Sequence, residues 1–189
     1  MHLRNIHCHN IHSIPHYNNF KSLSKLVRAD IYEVYFDLFV ESPKFDKYLD
    51  DILLFPNLTH VELRLGENMM GENMSWHLVL AMLKHCPMLQ NFVLTIEITW
   101  KFYEDLVWIF PCFVPECLFS QLRECSILDF GGNKNELHFA KYILLNSRVL
   151  RTMTVCTRPS PYLEVSKVEL LKELSLYPRS SKICELSFT

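Results

Sequence analysis

The stretch Asp129-Phe130-Gly131-Gly132-Asn133-Lys134-Asn135-Glu136 holds residue types from which phosphate chemistry is built. Asp-Phe-Gly is the metal-binding triplet of protein kinases. A glycine pair leading into a helix can present backbone amides to an anion. A kinase also needs a Gly-rich loop, a strand lysine and a catalytic-loop Asp with its Asn. The chain has four glycines, at positions 66, 71, 131 and 132, and no such set. The spacing reads instead as a strand ending near Phe130 and a tight exit through the glycine pair. Asn133 then caps a helix, and Glu136 stands three residues on as its capping-box partner. A second glycine loop, Gly66 to Asn73, has P-loop spacing, but Glu72 and Asn73 stand where Lys and Ser/Thr are required. A carboxylate there repels phosphate, so this segment reads as a surface loop.

The N-terminus carries His2, His7, Cys8, His9, His12 and His16. Histidine and cysteine bind zinc, and alternation puts His7 and His9 on one side of a strand. A short His-rich tract is a compositional cue. No paired C-x-x-C accompanies it, so we read solvated histidines on an edge repeat and assign no metal and no cofactor. His85-Cys86 and Cys117 raise the question of a thiol nucleophile, but no partner acid is identifiable. Asp50, Asp51, Glu104 and Asp105 lack any pairing pattern for acid–base work and read as solvated faces. No catalytic residue is assigned, and the chain reads as a non-enzyme.

Composition narrows the classes further. Of 189 residues, 49% are hydrophobic and 21% charged, which is globular. A chain of this length buries roughly 70% of its unfolded surface and needs no staples. The formal charge is -2, with lysines and arginines scattered, so no basic stripe points to nucleic acid. The longest apolar run, Leu106 to Val114, is interrupted by Pro111 and falls far short of the roughly 20 residues of a spanning helix. The first ten residues lack an apolar signal core. Seven dispersed cysteines then read as reduced thiols, giving an intracellular expectation, cytoplasmic or nuclear.

A repeat sets the architecture. Phe55 to Leu65 (FPNLTHVELRL) and Cys86 to Ile96 (CPMLQNFVLTI) both have Pro second and Leu fourth, then apolar residues at steps of three, two and two. Leu122, Cys125 and Ile127 repeat the pattern, as do Leu150, Met153 and Val155. Leu26, Ala29 and Ile31 fit, while Leu3, Ile6, Cys8 and Ile183, Leu186, Phe188 fit more loosely. The anchors step by 23 to 33 residues, close to the leucine-rich range and somewhat longer. The period-2 part predicts a short strand with alternate side chains facing a core.

Helical stretches lie between. Ser42-Pro43 starts one containing Phe45, Tyr48, Leu49, Ile52 and Leu53. Asn73 or Ser75 caps a second, with Trp76, Val79, Leu80 and Leu83 on one face. Leu137, Ala140, Ile143 and Leu144 form the stripe after Asn133. Ser166 with Glu169 repeats the capping device before Leu170, Leu171 and Leu174. Strand, crossover helix, strand predicts parallel pairing, and the expected fold is α/β, a curved leucine-rich-repeat-like solenoid. The aromatic, proline-punctuated stretch near 99–113 is an insertion, its rings either packed on the solenoid edge or forming a contact site.

Val114 to Val155, followed by Lys167 to Phe188, closely resembles the FBD module that closes plant F-box proteins with leucine-rich repeats. The matching features are Val114-Pro115-Glu116-Cys117-Leu118, the Gly131 turn, Glu136, Ala140-Lys141-Tyr142-Ile143-Leu144 and Leu150. Pro178-Arg179-Ser180-Ser181 and Cys184 complete them. The resemblance implies irregular repeats over 1–113 and an FBD module over 114–189, continuous with the solenoid. It also implies protein–protein recognition, as in the substrate-choosing part of an F-box subunit of a cullin-type ubiquitin ligase. No F-box is legible, and Met1 reads as already inside the repeats. An adaptor of the ligase is therefore expected as a partner only if an F-box exists upstream. The rival readings are a stand-alone binding protein and a truncated relic.

In such a repeat the strand residues that alternate with the core line the opposite sheet face. That expectation names His60, Glu62 and Arg64; Asn91, Val93 and Thr95; Glu124, Ser126 and Leu128; Thr152 and Thr154. They are candidates for meeting an unknown target protein, or ordinary solvated sheet residues. Arg179 and its neighbouring serines are expected to brace the C-terminal end.

Overall fold

The computed structural model describes residues 26–31, 55–65, 72–96, 111, 113–159 and 166–189. In chain order these form β1 (Arg28–Ile31), β2 (His60–Leu65), α1 (Glu72–His85), β3 (Asn91–Ile96), α2 (Glu116–Ser120) and β4 (Glu124–Phe130). Next come α3 (Lys134–Asn146), β5 (Thr152–Thr157), α4 (Lys167–Leu176) and β6 (Glu185–Phe188). The strands make one open six-stranded sheet in the order β1-β2-β3-β4-β5-β6, every neighbouring pair parallel. Each new strand is therefore laid beside the one before it, as the period-2 segments and intervening helices require.

A repeated bond sets the register. Just before each of β2 to β5, and at the first residue of β6, the backbone donates to a carbonyl just before the preceding strand. The bonds run Thr59 to Val27, Gln90 to Thr59, Arg123 to Gln90, Arg151 to Arg123 and Glu185 to Arg151, at 2.7–2.9 Å. Leu58 and Leu89 each donate back to the residue three before them, Phe55 and Cys86. The two turns are thus closed alike, and Cys86, fully buried, fills the place of Phe55.

One parity of each strand forms the core. The rows Val61, Phe92, Cys125, Met153 and Leu63, Leu94, Ile127, Val155 are at most 2% exposed. Helix residues cover them: Phe139 of α3 meets the Phe92 ring edge-on at 6.4 Å and Trp76 of α1 at 5.2 Å. Burying each such side chain contributes about 1.5–3 kcal/mol, which makes this shared layer the main source of stability.

Two local expectations are corrected. Helix α1 begins at Glu72, so Asn73 and Ser75 lie inside its first turn rather than before it. Ile183 was expected to anchor the last repeat, as Leu58, Leu89, Leu122 and Leu150 anchor theirs, yet it is 66% exposed. The neighbouring Cys184 is the buried group, at 7%. The N-terminal histidines, the Ser42-Pro43 helix, the loop up to Gly71 and most of the 99–113 insertion lie outside the described residues.

Candidate functional site

The glycine turn is the first candidate, and its geometry answers the phosphate question. Strand β4 slips register against β5 between Ile127 and Phe130, and Asp129 sits at φ 55 within that irregularity. Asp is among the few non-glycine residues that tolerate this left-handed backbone. Gly132 follows at φ 81, which favours glycine. The turn aims three amides inward. Gly131, Gly132 and Asn133 donate to one oxygen, Glu136 Oε2, at 2.8, 2.7 and 3.3 Å. The anion cradle thus exists, and the chain's own carboxylate fills it.

Glu136 is 0% exposed. Its second oxygen accepts from Arg158 Nη2 at 3.2 Å. The same guanidinium donates to the carbonyls of Asp129 at 2.5 Å and Ile96 at 3.0 Å, while the Arg158 amide donates to Phe130 at 3.0 Å. One buried pair therefore ties the ends of β3 and β4, the start of α3 and the exit of β5. The expected capping box is present beside it, with Asn133 Oδ1 accepting from the Glu136 amide at 2.9 Å. Sequence reading placed Glu136 in that box and at a family-like position. It missed Arg158, 22 residues away, because nothing in its local spacing marks it.

Burial pushes the Glu136 carboxyl up to about 7, against the pull of Arg158 and the three amides. Between its ordinary 4.5 and that value the folded chain binds more protons than the unfolded chain. Its contribution to stability therefore declines as pH rises through that window. The thermal midpoint is expected to fall between about pH 5 and 7.5, with part of the slope removed by Glu136→Gln. Thermal melts of both proteins across that range check this.

Burial disfavours Cys86 and Cys117 as nucleophiles. Desolvation pushes Cys117 up to about 12 and Cys86 beyond the range where a thiolate forms. Cys117 Sγ instead donates to the Leu83 carbonyl at 3.1 Å, joining α2 to α1. Among the described residues no group of three His, Cys, Asp or Glu side chains is placed to hold a metal.

The second candidate is the sheet face opposite the helices. Parallel register assembles it into rows. His60, Asn91, Glu124 and Thr152 form one; Glu62, Val93, Ser126 and Thr154 the next; Arg64, with Thr95 and Leu128, begins a third. Most of these residues are half-buried and Glu124 is exposed. Thr95, at 4% exposure, is too buried to offer surface. Polar contacts run within the face: Asn91 Nδ2 donates to Glu124 Oε2 at 2.6 Å, and Arg64 lies 3.9 Å from Glu62. Arg28 and Asp30 of β1 extend the first two rows, paired at 3.4 Å.

A family model described as FBD matches residues 111–155, which contain the bulge, the glycine turn, Glu136 and all of α3. An F-box/FBD/LRR-repeat protein of Arabidopsis thaliana is 37% identical over 122 residues, 60% of this chain and 26% of that protein. Two FBD-associated F-box proteins of the same plant are 30% and 31% identical over 151 and 128 residues. Those alignments cover 78% and 66% of this chain and 30% of each relative. The chain belongs to the plant F-box/FBD family. It spans about a fifth to a third of the length of the curated relatives it matches. No solved structure matches it significantly.

Several of the residues that carry the sequence resemblance are joints between elements. Tyr142 donates from α3 to the Phe113 carbonyl at 3.2 Å. Arg179 reaches the carbonyls of Cys184 at 2.9 Å and Ser175 at 3.2 Å. Ser180 Oγ bonds to the Leu145 carbonyl, and Ser181 Oγ donates to Leu150 at 2.6 Å. The expected C-terminal brace is therefore built by three consecutive residues, Arg179, Ser180 and Ser181. Ser181, 3% exposed, carries one of its bonds with no access to water. Ser181→Ala leaves the Leu150 carbonyl without that donor and is expected to cost about 1–2 kcal/mol in chemical denaturation.

Proposed function

We propose that this chain is a non-catalytic protein–protein recognition module, the counterpart of the substrate-recognition part of an F-box subunit of a cullin-type ubiquitin ligase. The observation that carries the reading is the sheet face, whose polar and apolar residues stand in straight rows across β2 to β5. Sequential parallel strands with helices on the other side fit a leucine-rich solenoid, with repeats over 1–113 running into an FBD module over 114–189. In such repeats the exposed strand face is the usual contact surface. His60, Glu62, Arg64, Asn91, Val93, Glu124, Ser126, Leu128, Thr152 and Thr154 are the residues we assign to it.

The relatives are named as F-box proteins, and the ligase context of this reading rests on that F-box. An unknown target protein sits on the face, and a ligase adaptor is engaged through an F-box where one is joined to this segment. A stand-alone binder that occupies the target without ubiquitylation uses the same surface. Four buried, unbridged cysteines among the described residues support an intracellular site of action, and no helix among the described residues is long and apolar enough to cross a membrane.

The test is comparative affinity capture from plant extract with the wild-type chain and with Ser126→Arg/Thr154→Arg. These neighbours lie in one row, so two guanidinium groups block the face while the core row is untouched. The proposal expects a target enriched by the wild type and lost with the double variant, which stays folded at the capture temperature although its paired like charges lower the thermal midpoint. A target retained equally by both proteins contradicts it.

A further inference from the structure

The turns that lead into the strands carry charge of one sign. Before β2 to β6 they run 56–59, 87–90, 120–123, 148–151 and 181–184. Together they hold Arg123, Arg148, Arg151 and Lys182 and no Asp or Glu, in a chain whose formal charge is -2. All four cations are exposed. Arg123 and Arg151 take the same place in successive repeats, one residue before β4 and β5, and the Arg151 amide donates to the Arg123 carbonyl at 2.7 Å. Their side chains therefore leave neighbouring strands about 4.8 Å apart, where like charges repel. None of the ion pairs among the described residues involves either arginine. Glu124 and Glu185 belong to the first row of the sheet face, and Glu124 is bonded to Asn91. The last carbonyls of α3 already accept from Ser147 and Ser180, so capping that helix does not occupy these arginines. Arg148 sits over the exposed ring of Phe119, 3.8 Å from its centroid, a contact that places the cation without satisfying its N–H donors.

Resting on the recognition reading of the sheet face, we infer that this rim takes an acidic segment of the target protein, laid across the strand entries at β4 and β5. Carboxylate or phosphate oxygens of that segment accept from Arg123 and Arg151. Guanidinium groups suit both, because their planar fork bonds two oxygens at once. An anion bridging the pair also offsets the repulsion that the two arginines carry when nothing is bound. Arg148 and Lys182 extend the positive field to either side of the pair and raise the rate of encounter with a negatively charged partner. Met88 and Phe119, 41% and 48% exposed in or beside the same turns, offer apolar contact between the charges. The rim borders the row of Asn91, Glu124 and Thr152, so one partner reaches both surfaces.

The test is fluorescence anisotropy of the full chain with labelled decapeptides: deca-glutamate, a glycine-serine peptide bearing two phosphoserines, and the same peptide without phosphate. The wild type is compared with Arg123→Gln/Arg151→Gln and with Lys167→Gln/Lys172→Gln. The second variant removes the same charge from exposed positions on α4. The wild type is expected to bind at least one anionic peptide, more weakly as salt is added, and not the neutral one. Arg123→Gln/Arg151→Gln is expected to raise that dissociation constant about tenfold or more without lowering the thermal midpoint, while the α4 variant keeps the wild-type value. The tighter of the two anionic peptides identifies carboxylate or phosphate as the group the rim takes. Anionic peptides bound no better than the neutral one, or equal weakening by the two variants, overturns the inference. Either result is read without a captured target and leaves the sheet-face reading standing. A target still captured by the Ser126→Arg/Thr154→Arg protein contradicts that reading and leaves the peptide result unchanged.

Discussion

Arg158→Ala is expected to cost the fold about 3–5 kcal/mol at neutral pH, the range for removing one partner of a buried ion pair. The loss is large because Arg158 is the one cation paired with Glu136 among the described residues. Its guanidinium is the cation at Glu136 and also satisfies the Asp129 and Ile96 carbonyls. Removal leaves the buried Glu136 carboxyl to ionise without a cation or to hold a proton, and two carbonyls without their donor. The loss should shrink on acidification, because a protonated Glu136 needs no counter-ion. Glu136→Gln in the Arg158→Ala background should recover part of the loss at neutral pH, since an amide oxygen still accepts from Gly131 and Gly132. Denaturant titrations of the four proteins at two pH values, read as a double-mutant cycle, check the coupling. A loss below about 1 kcal/mol, or one independent of pH, would place the pair among weak surface contacts.

Gly131→Val/Gly132→Val is the second large effect. A Cβ at position 131 would stand 2.9 Å from Arg158 Nη1 and 3.1 Å from its Cζ. A free arginine end would step aside, but this one is held by three acceptors, so movement breaks the cluster. At position 132, φ 81 strains any side chain, and a β-branched one most. Together these are expected to cost about 3–5 kcal/mol. The effect is on stability alone. Calorimetric titration with ATP should give no binding heat for the wild type or the variant, because the amides already serve Glu136. Tight ATP binding by the wild type that the variant loses would restore the phosphate reading of this turn.

What the sequence made legible follows from the range of each interaction. The strands could be read because their period-2 pattern is local and recurs, and Leu58, Leu89, Leu122 and Leu150 all occupy the expected buried place. The rows of the sheet face follow from the same alternation, since parallel pairing brings equivalent positions side by side. Asn133 and Glu136 could be paired because a capping box has fixed spacing. The rest depends on contacts that sequence spacing does not encode. Glu136 reaches beyond its cap to Gly131 and Gly132 only because Asp129 and Gly132 turn the backbone through positive φ. Arg158 arrives from the far end of β5. Ile183 loses its expected place because no further repeat among the described residues covers that side, and Cys184 turns inward instead.

The lock and the face have complementary parts. Glu136 and Arg158 fix where β3, β4 and β5 end, and so hold Asn91, Val93, Ser126 and Thr154 in line. Rigid rows spare a binding surface part of the ordering cost on association. The glycine turn adds a polar lock to the apolar core, and the face proposed for recognition is carried by the same strands.

Site-specific photocrosslinking tests the recognition claim most directly. A photoreactive phenylalanine derivative at Val93, in the middle of the face, is compared with one at Val168, 74% exposed on α4. With a target captured from plant extract, the account expects a covalent adduct from position 93 and none from position 168. An adduct from position 168 alone would place the target on the helices and contradict the assignment of the sheet face.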